Sequence, residues 1–283
     1  MNLASPSVIK ELMSRHGFTF RKKFGQNFLI SESVPRDIAY VCAESGCENV
    51  IEIGPGIGTM TVRLAERFRS VVAVEIDEKL IGVLKETTKE YDNIEIINGD
   101  ILKTDLDELC RSRFHGERAA VCANLPYYIT TPIIMHLLTS KAPVVSMTLM
   151  MQKEVADRLL ASPGTPEYGA VTVALDLYAT IEKHFNVPKG AFLPAPQVTS
   201  TVVTITPRQK PLFPDGYEEK VRSLVRAAFS QRRKTLSNAL CAAGVERTRT
   251  EAALAFLGVS PDVRGERLSA EQYIKLALEL EKK

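Results

Sequence analysis

Val50-Ile-Glu-Ile-Gly-Pro-Gly-Ile-Gly-Thr-Met-Thr61 is an apolar run that stops abruptly at three closely spaced glycines before a helical pattern resumes. It reads as strand, tight loop, helix. Without side chains, Gly54, Gly56 and Gly58 permit positive φ and let a ligand come close to the backbone. Met60, Leu64 and Phe68 then recur at helical spacing, so free N–H groups are expected where that helix starts. The stretch is a candidate binding loop.

The residues beyond it narrow the ligand. A phosphate-cradling loop needs Gly-Lys-Ser/Thr at its end, and none follows. A dinucleotide fingerprint wants glycine at its sixth position, where Thr59 stands, and Pro55 separates the first two glycines. A second apolar run, Val71-Val-Ala-Val74, ends in Glu75, placed where an acidic side chain can accept hydrogen bonds from a ribose diol. A ribose-containing ligand is expected. Ile94-Glu-Ile-Ile97 is followed by Asn98-Gly-Asp100, and Ala119-Ala-Val-Cys-Ala123 by Asn124-Leu-Pro-Tyr127. In a doubly wound parallel sheet these polar strand ends would line one crevice. Any one of the motifs alone would serve equally well to cap an ordinary α/β domain.

Taken together, Glu52-Ile-Gly-Pro-Gly-Ile-Gly58, Glu75, Asp100 and Asn124-Leu-Pro-Tyr127 resemble the S-adenosylmethionine-dependent ribosomal RNA adenine dimethyltransferases. Gln26-Asn-Phe-Leu29, Phe192-Leu-Pro-Ala-Pro-Gln-Val198 and Phe229-Ser-Gln-Arg-Arg-Lys-Thr-Leu236 match further motifs of that family, in order along nearly the whole chain. The resemblance implies an α/β fold: a Rossmann-like methyltransferase sheet of seven strands, one antiparallel near the edge, with a small C-terminal all-α domain. It implies S-adenosylmethionine as cofactor, contacted by Asn27, Leu29, Gly54, Gly56, Glu75, Asp100 and Asn124. Glu75 would hold the ribose hydroxyls, Asp100 would accept from the cofactor's adenine amine, and backbone around Gly54 would pack on the methionine portion. Asp77 and Glu52 are expected to support them.

The 283 residues suit one large and one small domain, and 45% hydrophobic content supports a substantial core. The boundary is expected at residues 206/207, where Pro207, Pro211 and Pro214 open a linker and strand patterns cease. Before it, alternating strand and helix patterns predict a mainly parallel sheet covered on both faces. Five cysteines without a Cys-x-x-Cys pair read as reduced cytosolic thiols. No signal core or membrane span is evident, so a soluble cytoplasmic monomer is expected. His16, His115, His136 and His184 have no ligand spacing, and no metal is expected.

Net charge is only +2, so an argument for nucleic acid must rest on local clustering. Residues 207 to 250 hold ten Lys or Arg against four Asp or Glu. Arg226, Arg232, Arg233 and Lys234 gather there on or beside a helix as a candidate phosphate-binding face. Near the start, Arg21, Lys22 and Lys23 lie among phenylalanines, a composition suited to RNA or equally to a solvated run over core aromatics. Residues 5 to 17 predict a short helix, with Ser5 as N-cap, Pro6 in the first turn and Gly17 as the stop. A second is expected from about Ser33 to Gly46.

An exocyclic adenine amine is a poor nucleophile because its lone pair is delocalised. The Asn124 side-chain oxygen and the Leu125 carbonyl could accept its two N–H groups and favour a pyramidal nitrogen. Pro126 would stiffen the turn, Tyr127 would stack on the target base, and Phe192 could supply the other face of that stack. Tyr128 departs from the asparagine many relatives carry there and puts fine positioning in question. The resemblance points to dimethylation of two adjacent adenosines in a hairpin near the 3′ end of 16S rRNA, in the immature small ribosomal subunit. Its rivals are a 23S rRNA adenine methyltransferase conferring macrolide resistance and a noncatalytic RNA-binding assembly factor.

Overall fold

The computed structural model describes residues 1–19, 26–231 and 233–282. Along the chain the strands are β1 (Phe28–Leu29), β2 (Asn49–Ile53), β3 (Ser70–Glu75), β4 (Ile94–Asn98), β5 (Ala119–Asn124), β6 (Val144–Gln152), β7 (Ala179–Val187), β8 (Phe192–Leu193) and β9 (Ser200–Pro207). The helices are α1 (Pro6–His16), α2 (Ser33–Ala43), α3 (Thr61–Ala65), α4 (Glu78–Thr87), α5 (Leu106–Phe114), α6 (Thr130–Thr139), α7 (Lys153–Leu159), α8 (Ala170–Tyr178), α9 (Glu218–Ser230), α10 (Leu236–Ala242), α11 (Arg247–Phe256) and α12 (Ala270–Glu281).

Two compact units result. The first comprises residues 1–156 and 181–207, the second residues 157–180 and 208–283. The expected boundary at 206/207 left residues 157–180 with the sheet, whereas their contacts group them with the helices. Periodicity could not show this, because a segment's partners depend on where the chain returns.

In the first unit a seven-stranded sheet runs in the order β4-β3-β2-β5-β6-β9-β7. The five strands from β4 to β6 are parallel and β9 is antiparallel to β6. All five residues of β2 are buried, as expected of a central parallel strand covered on both faces. Val50 pairs in register with Val71 and Ala120, and these side chains share a core with Ile38, Cys42 and Leu64. Side chains alternate along a strand, so Glu52 points to the same face as Val50, into that apolar layer. Chain order reverses between β2 and β5, which leaves a crevice beyond their carboxyl ends.

The N-terminal segment follows its local signals closely. Pro6 opens α1 and Gly17 ends it at φ 61°, in the left-handed region that favours glycine. Its apolar face contributes Ile9 and Leu12 to a second core with Phe18, Phe28, Ile57 and Leu80. By contrast, the helix expected after the glycine loop is only five residues of α3, continued to Phe68 by turns.

In the second unit Phe229 lies between the rings of Tyr168 and Tyr273, 6.3 Å from each centroid. Both tyrosines are buried and donate to backbone carbonyls, Tyr168 to Leu268 at 3.0 Å and Tyr273 to Gly265 at 2.8 Å. A fully buried hydroxyl needs such a partner. Ser269 caps α12 reciprocally with Gln272. Phe229, which opens the Phe229–Leu236 motif, therefore sits in one packed aromatic centre tied to the backbone of Gly265 and Leu268. Among the described residues, no helix is long and apolar enough to cross a membrane.

Candidate cofactor and acceptor site

The crevice of the first unit holds a cavity with about 690 Å³ of non-atom space, its open mouth included. Its walls come from Gln26–Leu29, the glycine loop, and the ends of β3 and β5. Gly54 has φ 66°, and no heavy atom lies within 4 Å of where a Cβ would sit, so the backbone borders open space there. Gly56 has φ 63°, and an added Cβ would meet the Phe28 ring at 3.1 Å. Both positions accept only glycine without strain.

Glu75 ends β3 and holds the loop. Its Oε2 accepts from the Gly56 N–H at 3.0 Å and its Oε1 from the Asp77 N–H at 2.8 Å. Burial pushes its carboxyl up to about 7, against the lowering effect of those backbone donors. Each oxygen retains acceptor capacity for a ligand hydroxyl. Asp77 caps α4 through the Lys79 N–H and accepts from Gln26 Nε2 at 2.9 Å, tying the N-terminal segment to the site.

Glu52 also lines the cavity, yet it is 0% exposed and neither carboxyl oxygen has a hydrogen-bond partner among the described residues. Desolvation pushes its carboxyl up to about 8, and the charge of Glu75 adds to the rise. Thr61 opposes the shift, although its own buried Oγ1 lies outside hydrogen-bond geometry.

At the end of β5 the Asn124 Nδ2 donates to the Asn27 carbonyl at 3.3 Å, which commits the amide nitrogen and leaves its oxygen as the acceptor for the cavity. The Leu125 N–H donates to Met150 O at 2.9 Å, while the Leu125 carbonyl receives no hydrogen bond among the described residues. Pro126 O accepts from Ile129 N at 3.3 Å and Thr130 Oγ1 at 3.1 Å, fixing the turn. Tyr127 is half-buried and its hydroxyl bonds Ser200 Oγ at 3.1 Å, which pins the ring. Tyr128 beside it is 59% exposed.

Not every expected residue joins this cavity. Asp100 sits at the end of β4 and its Oδ1 caps the following turn through Leu102 N at 3.0 Å; it is not among the lining residues. Phe192, expected to present a ring to a base, is 2% exposed and packs in the sheet core with Leu29, Met150 and Val202. The reason is its pairing: Leu29 faces Phe192 and Phe28 faces Leu193 in the β1–β8 ribbon, which brings two distant motifs together and turns the ring inward. Arg226 bonds Glu219 and Ser223, whereas Arg233 and Lys234 are exposed. Arg21, Lys22, Lys23 and Arg232 lie outside the described residues.

Gln26, Phe28 and Ile76 are among the lining residues that were missed as site residues. Gln26 and Phe28 stand within the Gln26–Leu29 motif, and Ile76, 47% exposed directly after Glu75, is an apolar residue where a strand should have ended. An apolar residue directly after the strand's polar end was the available signal. The site fits S-adenosylmethionine on three counts: open space at Gly54, a buried carboxyl without a partner among the described residues at Glu52, and hydroxyl acceptors at Glu75.

Comparisons with known proteins agree. The family described as ribosomal RNA adenine dimethylase matches residues 17–282. A ribosomal RNA small subunit methyltransferase A from Alkaliphilus oremlandii is 44% identical, over 99% of both chains. One from Geobacillus thermodenitrificans is 45% identical, over 98% of this chain and 96% of that one. Among solved structures, the 23S rRNA methyltransferase ErmE aligns with TM-score 0.70 and 28% identity, over 90% of this chain and 100% of that one. A dimethyladenosine transferase from Plasmodium falciparum gives TM-score 0.70 and 26% identity, over 86% and 94%.

Proposed function

The chain belongs to the ribosomal RNA adenine dimethylase family, and from that premise we propose that it dimethylates N6 of two adjacent adenosines in a hairpin near the 3′ end of 16S rRNA. S-adenosylmethionine supplies the methyl group from its sulfonium. The full-length relatives named for the small subunit, at 44% and 45% identity, favour this target over the 23S enzyme at 28%. The substrate particle is the immature small subunit in the cytoplasm. Action as a monomer belongs to the same proposal.

One observation carries the acceptor assignment: Asn124 spends its amide donor on Asn27 and keeps its oxygen. With the Leu125 carbonyl, that oxygen forms an acceptor pair suited to the two N–H groups of an adenine amine. Donating both hydrogens to fixed acceptors draws the nitrogen toward a pyramidal shape and frees its lone pair for in-line attack. Neither acceptor needs to be a strong base, because the amine proton becomes acidic only once the methyl has arrived and can then pass to water. Tyr127 holds the target base by stacking, its ring fixed through Ser200. Phe192 supports this floor from below by packing Leu29.

Glu75 holds the ribose hydroxyls while its backbone contacts keep the Gly56 loop in place. Asn27 and Leu29 close the cavity over the methionine portion, with Gly54 and Gly56 allowing close approach. Asp100 receives the cofactor's adenine amine on the oxygen that its turn does not use. Arg21, Lys22, Lys23, Arg226, Arg232, Arg233 and Lys234 engage RNA phosphates.

The test is methyl transfer from labelled S-adenosylmethionine to unmodified small subunits and, separately, to unmodified large-subunit RNA, with the modified base identified by mass. Dimethyladenine in the small subunit alone is expected. Label confined to large-subunit RNA would replace this reading with the 23S activity, and RNA binding without label would replace it with a noncatalytic factor.

A further inference from the structure

Tyr127 and Tyr128 occupy the centre of one turn, closed by the Ile129 N–H on Pro126 O at 3.3 Å. Both flanks of that turn are fixed. The buried Leu125 donates its N–H to Met150 O at 2.9 Å, and the buried Thr130 donates its hydroxyl to Pro126 O at 3.1 Å. The two rings are used differently. Tyr127 is half-buried with its hydroxyl on Ser200 Oγ at 3.1 Å, whereas Tyr128 is exposed and makes no hydrogen bond or ring contact among the described residues.

A single exposed ring elsewhere on the surface needs no explanation. Tyr40 is exposed in this way on α2, and Phe256 has the Lys282 ammonium 4.8 Å from its ring centroid. Tyr128 stands instead in the acceptor turn itself. Neither ring of the turn is among the residues lining the cofactor cavity, although Asn124 and Pro126 are, so both are placed for the RNA rather than for S-adenosylmethionine. Turning a target base out of its stack leaves the neighbouring base with a bare face. Cα atoms of consecutive residues lie about 3.8 Å apart, close enough for two adjacent rings to meet two adjacent nucleotides. An aromatic side chain is a stacking platform that any base can use, and a tyrosine loses little conformational freedom when it docks.

We propose that Tyr128 is a specificity-determining residue for the RNA: its ring stacks on the nucleotide next to the target adenosine and so fixes which adenosine of the pair lies against Asn124 and Leu125. The inference rests on the reading of Asn124–Tyr127 as the acceptor site and deepens it, adding a contact to the base that does not react. Such a contact is the same before and during methyl transfer, so its loss appears in KM for RNA and not in kcat. It involves no ion pair. The ratio of variant to wild-type KM is therefore constant with salt, unlike the loss of a phosphate contact.

The experiment is steady-state methyl transfer by the full chain to unmodified small subunits. Their 16S rRNA carries either the natural sequence or an abasic residue on the 5′ or the 3′ side of the adenosine whose product is measured by mass. Tyr128→Ala should raise KM for natural subunits roughly 5- to 100-fold, with kcat held within about twofold. Cofactor affinity and Tm should not move. Tyr128→Phe should restore the wild-type KM, because the hydroxyl is not engaged, whereas Tyr128→Leu, apolar but without a flat face, should not. With one of the two abasic substrates, wild type should lose the same factor and Tyr128→Ala should lose nothing further. Such coupling on either side supports the proposal and identifies the stacked neighbour. An unchanged KM in Tyr128→Ala, equal rescue by leucine and phenylalanine, a matching loss of S-adenosylmethionine affinity, or no coupling on either side overturns it while leaving the methylation reading intact. Absence of label with wild type on natural subunits would overturn that reading and this inference with it.

Discussion

Asn124 donates its side-chain amide to the backbone carbonyl of Asn27, 97 residues earlier in the chain, at 3.3 Å. That bond decides which end of the amide is left for the substrate. Asn124→Ala removes the acceptor without touching Glu75 or the glycine loop, so kcat should fall by roughly a hundredfold or more while cofactor affinity changes little. Single-turnover methyl transfer and equilibrium cofactor binding, measured on the same preparation, separate the two. Loss of both in equal measure would make Asn124 a cofactor ligand first.

The buried carboxyl of Glu52 makes the free protein's stability pH-dependent. Its folded value, about 8, lies above its ordinary value, so the associated stability is complete below about pH 4.5 and is lost as pH rises through about 8. Glu52→Gln has no such loss. Urea unfolding should show the variant gaining on wild type between pH 5 and 9, by about 1.4 kcal/mol for each pH unit climbed below the folded value and by several kcal/mol at most. A difference that stays constant with pH would mean that the carboxyl is not protonated in the folded chain.

Gly56 has φ 63°, and an added Cβ would lie 3.1 Å from the Phe28 ring. Gly56→Ala should therefore cost roughly 1–2 kcal/mol in backbone conformation alone, before Phe28 moves. Displacing Phe28 disturbs the wall built by Gln26–Leu29, so cofactor affinity should drop along with thermal stability. Calorimetric melting with and without S-adenosylmethionine measures both. A normal cofactor-induced rise in Tm would show that Phe28 yields harmlessly.

The basic residues of the second unit should differ in weight. Arg226 already bonds Glu219 and Ser223, while Arg233 and Lys234 are exposed and carry no such ion pair among the described residues. Replacing Arg233 and Lys234 with alanine should weaken RNA binding and flatten its log–log salt dependence by about 0.7–0.9 per lost phosphate contact. Arg226→Ala should do less. Binding titrations over a salt series decide it, and identical slopes for all variants would return this cluster to a solvated helix surface.

Much of this architecture was legible before any coordinates. Local rules placed α1 between Ser5 and Gly17, and period and composition located β2, β3, β4 and β5 to within a residue or so. Such features depend on neighbours in the chain: a left-handed stop needs glycine, and an apolar run bounded by turn residues makes a buried strand whatever surrounds it. The glycine loop and the polar strand ends were visible for the same reason.

What the sequence determined by itself was thus the inventory: strand ends carrying Glu75, Asp100 and Asn124, a glycine loop, and motifs enough to identify the family. Tertiary structure alone decided how these groups are used. It paired Leu29 with Phe192 and turned the Phe192 ring inward, grouped residues 157–180 with the helices, and set Asn27 against Asn124. It also placed Glu52 in an apolar layer, without a partner among the described residues. A carboxylate's cost depends on the solvent and charges around it, and an amide's orientation on which carbonyl reaches it. Both are properties of residues far apart in the chain, fixed only by the order in which the strands cross the sheet.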